Sequence, residues 1–140
     1  MQERDSASSS PRPLITISIP VYNEEPNIGP LLLRLRNLAD KRFDCDFEFL
    51  FTDDASTDGT FARLAEEVNR DPRVRVLLFS RNFGFQRSIL TNYLNAKGDA
   101  AVQIDADLQD PPELISEFIE KWAQGYKVVF GIRGGARKAC

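Results

Sequence analysis

Aspartate is the residue type through which metal or phosphate chemistry in this chain would have to run. The 140 residues include twelve aspartates and no histidine. Asp105 and Asp107 follow directly on an apolar segment that reads as a buried strand. Because side chains alternate along an extended chain, both carboxylates would point the same way. Carboxylate oxygens together with phosphate oxygens are ligands that Mg²⁺ and Mn²⁺ prefer.

A second Asp-x-Asp pair, Asp44 and Asp46, shows that the spacing alone is weak evidence. Twelve aspartates in 140 residues give about one such pair by chance. Asp44 and Asp46 precede a predicted strand, whereas ligands of open α/β sheets bind at the carboxyl ends of strands. We therefore predict a solvated turn at Asp44 and Asp46, and a metal or phosphate site at Asp105 and Asp107.

Composition excludes several other classes of site. Without histidine there is no Ser-His-Asp or Cys-His catalysis and no imidazole metal ligand. Cys45 and Cys140 are too few for a zinc site and are predicted to be free thiols in a reducing compartment. The formal charge of −3 gives no indication of nucleic-acid binding. No apolar run approaches the roughly 20 residues that span a bilayer.

The elements that would position the aspartates alternate between strand and helix. Apolar periodicity predicts a helix after each of the first four strands. Short connections between them favour a mostly parallel α/β sheet with helices on both faces, as one domain over residues 14–133 between polar tails 1–13 and 134–140. The predicted strands are residues 14–19, 47–51, 74–79, 100–104 and 127–131.

Two helix starts carry local signals. Asn27 is the predicted N-cap of the first helix, with Pro30 in its first turn. Asp110, Pro111 and Glu113 predict a capping box at the fourth.

Apolar residues at helical spacing are expected to form the core. The third helix carries four of them, and Trp122 and the phenylalanines are also predicted to be buried. The four are Ile89, Leu90, Tyr93 and Leu94.

Polar side chains follow every predicted strand, but the usual phosphate-binding loops are missing. No G-x-G-x-x-G and no G-x-x-x-x-G-K-[ST] occurs, so a nucleotide's phosphates would meet carboxylates and need a cation between them. Of Asp53 and Asp54, one can cap the following helix while the other faces the cleft. Arg81 is predicted to make a structural pair, and Arg133 either pairs with the acidic rim or contacts phosphate.

Several segments, in order, resemble family 2 glycosyltransferases of the GT-A fold, a Rossmann-like nucleotide-sugar-binding architecture. The later segments are similar to the polyprenyl-phosphate branch, which includes dolichol-phosphate mannosyltransferases and undecaprenyl-phosphate glucosyltransferases. The segments are IPVYNEE at 19–25, DDASTDGT at 53–60, SRNFG at 80–84, DADLQDPPE at 105–113 and GYKVVFGIR at 125–133.

The resemblance implies a UDP- or GDP-sugar donor. Its base and ribose would lie near Pro20, Tyr22, Glu24 and Asp53, with Asp54 beside them. It also implies that Asp105 and Asp107 hold Mg²⁺ or Mn²⁺ at the diphosphate. By the same resemblance Gln109 would lie on the sugar or acceptor side, and Arg133 would contact phosphate.

The acceptor implied by this branch is a polyprenyl phosphate at the membrane surface. Such a phosphate is already ionised near pH 7, so an inverting in-line displacement would need little general-base help. A cytoplasmic location at the inner membrane face is expected, through C-terminal segments with which chains of this family continue. The 140 residues would then be the donor-binding half, in an oligomer or alone, with no nucleic-acid partner.

Two other functions stay open at this point. One is a fragment that binds nucleotide without turnover. The other is a receiver-type signalling domain with an acidic Mg²⁺ pocket, although Arg133 stands where such a domain needs a lysine.

Overall fold

A computed structural model describes residues 11–132, and within them four strands alternate with four helices. Each strand is followed at once by its helix, which is the α/β alternation that the sequence predicts. In chain order the elements are β1 (Leu14–Val21), α1 (Glu25–Lys41), β2 (Asp46–Asp53), α2 (Thr60–Arg70), β3 (Val74–Leu78), α3 (Phe85–Asn95), β4 (Ala100–Gln103) and α4 (Leu114–Ala123).

The four strands form one parallel sheet in the order β3-β2-β1-β4. The order steps outward from β1 through β2 to β3, and then returns to the other side of β1. In a parallel sheet all carboxyl ends lie at the same edge, and a ligand binds where the strand order reverses. The sheet therefore positions the segments after β1, β2, β3 and β4 beside one another.

One face of the sheet is apolar and carries most of the core. In-register pairing of β1 with β2 aligns Ile15, Ile17 and Ile19 with three phenylalanines on the same face. Helix α1 covers this face with a fully buried stripe, and α4 adds Ile115 and Ile119. Burial of such side chains stabilises a fold by about 1.5–3 kcal/mol each. The stripe of α1 is Ile28, Leu31, Leu32, Leu35 and Leu38, as predicted.

The other face is unusually polar and is covered by α3. Thr16, Ser18, Glu48 and Thr52 are all buried there. Two of them are joined directly, since the Thr16 hydroxyl donates to Glu48 Oε2, 2.5 Å away. Arg75, on the same face, pairs with Glu48 at 2.7 Å. Since buried polar groups need partners, this network fixes which residues of α3 can face the sheet.

The orientation of α3 is opposite to the prediction. Its buried residues are Ser88 and Asn92. The predicted core stripe lies on the outer side, where Leu90, Tyr93 and Leu94 are exposed. The physical reason is the polar sheet face, because Thr52 Oγ1 donates to Asn92 Oδ1 at 2.6 Å.

Buried ion pairs join α1 to α2. Arg36 of α1 donates to Glu67 at 2.7 Å and to Asp71 at 2.9 Å, and both carboxylates are almost fully buried. Burial raises the pKa of Asp71, but hydrogen bonds from Arg73 and Arg36 outweigh it and hold that pKa well below its usual range. Glu67 also pairs with Arg63, so each buried carboxylate has more than one partner.

Both predicted helix starts are wrong in detail. Helix α1 begins at Glu25 after Glu24, and Asn27 lies inside it, donating from Nδ2 to Glu24 Oε1 at 2.7 Å. Helix α4 begins at Leu114, and Glu113 precedes it without capping it. The Glu113 carboxylate is instead held by Arg34 of α1 at 2.5 Å. Tertiary ion pairing outweighs local capping at this end.

No fifth strand forms between α4 and the last described residue, Ile132. Val128 and Phe130 of the predicted strand are exposed, as is Ile132 just after it, because the segment has no sheet partner. The prediction that phenylalanines are core fails for Phe43, Phe61, Phe85 and Phe130, which are all exposed.

Candidate functional site

A cleft of about 340 Å³ lies at the carboxyl ends of the strands. Every strand of the sheet contributes to it, through the residue at its end or the loop that follows. Its lining is Pro20, Val21, Tyr22, Glu24, Asp54, Asn82, Gly84, Phe85, Ser88, Asp105, Ala106 and Asp107. Six predicted site residues, from three separate sequence segments, are therefore brought together.

The segment after β4 places two carboxylates at this cleft. Gln103 Nε2 donates to Asp105 Oδ1 at 3.0 Å, and the Gln109 amide donates to Asp107 Oδ1 at 3.2 Å. Leu108, between Asp107 and Gln109, has a φ of 65°, in the left-handed region that non-glycine residues seldom adopt. The turn it makes holds the Gln109 amide against Asp107. One oxygen of each carboxylate is thus oriented by its own segment, and the described residues donate nothing to the other.

The loops after β1 and β2 are joined by hydrogen bonds around Asn23. Its Oδ1 accepts from the amide of Thr57 at 2.8 Å, and its own amide donates to Ser56 Oγ at 2.8 Å. The Glu24 amide donates to Thr60 Oγ1 at 2.9 Å. These bonds hold the backbone beside Tyr22 and Glu24, so those two side chains project from a braced loop.

Asp58, in the loop after β2, adds a further hydrogen bond to this arrangement. Its Oδ1 accepts from the Thr60 amide at 2.9 Å. Burial raises the pKa of Asp58, and the hydrogen bonds from Thr60 lower it further than burial raises it. The ionised carboxylate therefore stabilises the start of α2.

The neighbouring aspartates Asp53 and Asp54 have different environments. Asp53 is fully buried, and its Oδ1 accepts from the Ser56 amide and hydroxyl at 2.9 and 2.6 Å. Its Oδ2 has no hydrogen-bond partner. Asp54 lines the cleft, and its two oxygens accept from the amides of Phe83 and Gly84. Asp53 braces a turn below the cleft, and Asp54 forms part of its wall.

Arg81 in the loop after β3 and Arg87 in the first turn of α3 make no ion pair with any of residues 11–132. The Arg81 guanidinium stacks 4.1 Å from the centroid of the Phe83 ring, and Arg87 lies 6.0 Å from the same ring. The structural partner of Arg81 is thus an aromatic ring rather than the acidic rim. Such stacking of a cation on a ring contributes about 0.5–1 kcal/mol at exposed sites.

Two predicted site residues within the described part of the chain do not line the cleft. Gln109 is exposed beside Asp107, and Asp53 lies beneath the surface. Arg133 lies outside the described residues, as does Cys140, while Cys45 is a buried free thiol. Sequence reasoning missed four lining residues that follow β3, although their position after a strand was a usable signal. They are Asn82, Gly84, Phe85 and Ser88.

The donor set at Asp105 and Asp107 suits a magnesium-like cation only in part. Among residues 11–132, no three acidic, histidine or cysteine side chains gather as a metal site. Mg²⁺ in nucleotide sites is commonly bound by one or two carboxylates, with substrate phosphates and water completing its shell. Two carboxylates in one cleft fit that division, in which the protein supplies two ligands and the nucleotide the rest.

A second, larger hollow of about 910 Å³ lies along the outer edge of β4. It is mainly apolar, with Ile119, Trp122 and Phe130 among its walls. It contains no pair of neighbouring carboxylates comparable to Asp105 and Asp107. The chemistry of the described residues therefore concentrates in the smaller cleft.

The parallel sheet and the acidic cleft at its switch point define an α/β protein with a candidate ligand site at the carboxyl ends of its strands. Comparison with known proteins defines the family. The sequence model of "Glycosyl transferase family 2" matches residues 16–139. The chain belongs to glycosyltransferase family 2, and its fold is that of the GT-A glycosyltransferases.

Relatives and solved structures agree with this assignment. The chain is 48% identical over 118 residues to the uncharacterized glycosyltransferase YkcC of Bacillus subtilis, covering 84% of this chain and 36% of YkcC. It is 39% identical over 128 residues to an undecaprenyl-phosphate 4-deoxy-4-formamido-L-arabinose transferase of Pseudomonas paraeruginosa, covering 91% of this chain and 38% of that protein.

Among solved structures, one match is a mannosyltransferase, PcManGT of Pyrobaculum calidifontis, in complex with GDP-Man and Mn²⁺. The TM-score is 0.66 at 28% identity, covering 81% of this chain and 33% of that one. The chain thus spans about a third of its relatives' length.

No helix within residues 11–132 is both long enough and apolar enough to cross a membrane.

The receiver-domain alternative is ruled out by family membership. The strand order also excludes it. Receiver domains have the order 2-1-3-4-5, in which β1 lies between β2 and β3, whereas here β2 lies between β1 and β3.

Proposed function

We propose that this chain is the donor-binding part of a glycosyltransferase that moves a hexose from a UDP- or GDP-sugar to a polyprenyl phosphate. The observation that carries the proposal is the gathering of Asp54, Asp105 and Asp107 with Tyr22 and Glu24 in one cleft. Relatives named as undecaprenyl-phosphate sugar transferases support the acceptor class. A neighbour in complex with GDP-Man supports the donor class.

The nucleoside is assigned to the side of the cleft formed by β1 and β2. Pro20 and Tyr22 offer flat apolar surface for a base or ribose, and Glu24 offers a carboxylate for hydroxyl groups. Asp54, which follows β2, contributes to the wall on the same side. Asp53 keeps its predicted place near the nucleoside, but as a buried group that holds the loop through Ser56.

The diphosphate is assigned to the side formed by the segment after β4. Asp105 and Asp107 would hold Mg²⁺ or Mn²⁺, which when bound neutralises charge on the diphosphate leaving group. Because Gln103 and the Gln109 amide orient one oxygen of each carboxylate, the pair is preorganised before the donor arrives. Preorganisation reduces the ordering cost of binding.

Transfer is proposed to proceed by in-line displacement with inversion at the anomeric carbon. The acceptor phosphate attacks with an oxygen that is already ionised near pH 7, so no residue need remove a proton. The chain's part is then to position the donor and exclude water. Gln109, exposed next to Asp107, is proposed to contact the sugar or acceptor, and Arg133 to contact phosphate.

The same proposal implies a location and partners for the whole protein. A polyprenyl-phosphate acceptor requires work at a membrane surface, and the proposed location is the cytoplasmic face. We propose no nucleic-acid partner, and an oligomer is compatible with the proposal.

A second candidate function is nucleotide-sugar binding without transfer by these 140 residues. It is favoured by one fact, that the chain spans 36% of YkcC and 33% of PcManGT. The two candidates share the donor site and differ only in turnover.

Calorimetric titration with UDP and with GDP tests the shared donor site. We expect one nucleotide to bind in the presence of Mn²⁺ and to bind at least about tenfold more weakly with EDTA. Equal binding with and without metal would refute the metal assignment, and no binding of either would refute the donor site. Incubation with the matching nucleotide-sugar and undecaprenyl phosphate then separates the two candidates. A glycosylated lipid supports the transferase, and donor binding without product supports the second candidate.

A further inference from the structure

Helix α3 turns its apolar side away from the protein. Leu90, Tyr93 and Leu94, here called the outer face of α3, are 56%, 47% and 76% exposed. Ser88 and Asn92 on the opposite side are buried. A surface helix normally buries its apolar stripe and exposes its polar one. This helix does the reverse, and contiguous exposed apolar side chains commonly mark an interaction site.

The orientation of α3 is fixed by its contacts with the sheet. Asn92 Oδ1 accepts the hydrogen bond of Thr52 Oγ1 at 2.6 Å, and both residues are fully buried. Rotating the helix to bury Leu90 and Leu94 would bring apolar groups against Thr52 and leave its hydroxyl without the bond to Asn92. Since an unsatisfied buried polar group is costly, the outer face stays exposed.

The helix that carries the outer face has charged side chains of one sign. The sequence has no aspartate or glutamate between Asp71 and Asp99, although the whole chain carries a net charge of −3. Arg81 and Arg87 flank the beginning of α3, and Lys97 follows its end. None of these three cations makes an ion pair with a described residue, whereas Arg73 and Arg75 do.

These charges argue against a second copy of the chain as the partner. A two-fold contact between two outer faces would bring the cations of one copy near those of the other in either direction along the helix, with no acid between them. Like charges across an interface oppose association. Exposed aromatic and leucine side chains with unpaired arginines and no acids are instead typical of helices that lie on anionic membranes.

We propose that the outer face of α3, with Arg81 and Arg87, docks on the surface of an anionic phospholipid bilayer. The aromatic and leucine side chains enter the interfacial region, and the two guanidinium groups meet lipid phosphates. The inference does not depend on the proposed transfer reaction.

Flotation with lipid vesicles tests this docking with the 140-residue chain. We expect binding to vesicles of phosphatidylglycerol and phosphatidylcholine in equal parts, and at least tenfold weaker binding to phosphatidylcholine alone. The double substitution Leu90→Gln and Leu94→Gln should abolish flotation. The matched control is Leu33→Gln on α1, which replaces a leucine that is 61% exposed on another helix and should leave flotation unchanged.

The charge contribution has its own pair of variants. Arg81→Glu with Arg87→Glu should weaken binding to the anionic vesicles at least tenfold, whereas Lys41→Glu at the end of α1 should have little effect. All substituted side chains are exposed, so each variant should remain folded. Thermal unfolding checks this. No flotation of the wild type, flotation unaffected by the α3 substitutions, or flotation lost equally in Leu33→Gln would overturn the proposal. Concentration-dependent dimerisation that disappears in the Leu90, Leu94 double variant would also overturn it, by assigning the outer face to a second copy.

Discussion

The carboxylate of Asp54 holds the backbone of Gly84. Asp54 directly follows β2, and its Oδ2 accepts from the Gly84 amide at 3.0 Å while Oδ1 accepts from the Phe83 amide at 2.6 Å. Gly84 lies immediately before α3 with φ of 102°, a left-handed conformation that suits glycine. One buried side chain thereby connects the ends of two strands and sets one wall of the cleft.

Replacing Asp54 by asparagine should therefore destabilise the protein and weaken the cleft. An amide nitrogen would face one of the two backbone N–H groups, which leaves a buried donor unsatisfied at a cost of about 1–3 kcal/mol. Urea unfolding measures the loss. Asp46→Asn at the other end of β2 is the control, because Asp46 pairs with Arg12 on the exposed surface and should contribute less than about 1 kcal/mol. Equal stability of the Asp54→Asn variant and the wild type would contradict this role.

Arg36 and Arg34 of α1 provide a contrast between a buried and an exposed ion pair. Arg36→Met leaves the buried carboxylates of Glu67 and Asp71 with fewer partners. Its cost should fall at the lower end of about 3–5 kcal/mol, because Arg63 and Arg73 remain in contact with those carboxylates. Arg34→Met removes only the exposed pair with Glu113 and should cost at most about 1 kcal/mol. Chemical denaturation of both variants checks the difference, and equal losses would refute it.

The same carboxylates predict how stability depends on pH. Burial raises the pKa values of Glu67 and Asp71, but their arginine hydrogen bonds lower them further, so both are below ordinary values in the folded state. A carboxyl with a depressed folded pKa contributes stability that is present above its unfolded pKa of about 4 and is lost as pH falls through the folded value. Denaturation midpoints should fall steadily below about pH 4.

Between pH 6 and 8 the stability should be nearly constant, since the chain has no histidine to titrate there. Midpoints measured in urea at several pH values check both regions. The Asp71→Asn variant should show a shallower acid loss than the wild type. A steep change in the denaturation midpoint near neutral pH would contradict this expectation.

The order of elements and the place of the cleft could be predicted from the sequence because both depend on local patterns. Alternating strands and helices imply a parallel sheet, and that sheet brings the polar segments after each strand to one edge. The predicted residues Tyr22, Glu24, Asp105 and Asp107 accordingly share the cleft. The same reasoning placed Asp44 at the other edge, where it pairs with Arg42.

The predictions that the structure contradicts concern residues whose environment depends on tertiary contacts. The apolar stripe of α3 reads as core, but the sheet face beneath the helix carries Thr52, whose hydroxyl needs a polar partner and finds it in Asn92. Glu113 reads as part of a capping box, but Arg34, distant in sequence, takes its carboxylate. The predicted fifth strand is apolar enough, yet among the described residues it finds no strand partner. Helical spacing or strand propensity cannot reveal which neighbour a side chain will meet.

The central claim, that Asp107 is a ligand in a metal-dependent nucleotide site, is tested most directly by comparing two Asp→Asn variants. Asp107→Asn alters the Asp-x-Asp pair in the cleft, and Asp44→Asn alters the pair at the opposite edge of the sheet. With Mn²⁺ and the nucleotide that the wild type binds, Asp107→Asn should lower the affinity by about tenfold or more, whereas Asp44→Asn should match the wild type. Circular dichroism should show both folded. Equal nucleotide affinity of Asp107→Asn and Asp44→Asn would contradict the assignment.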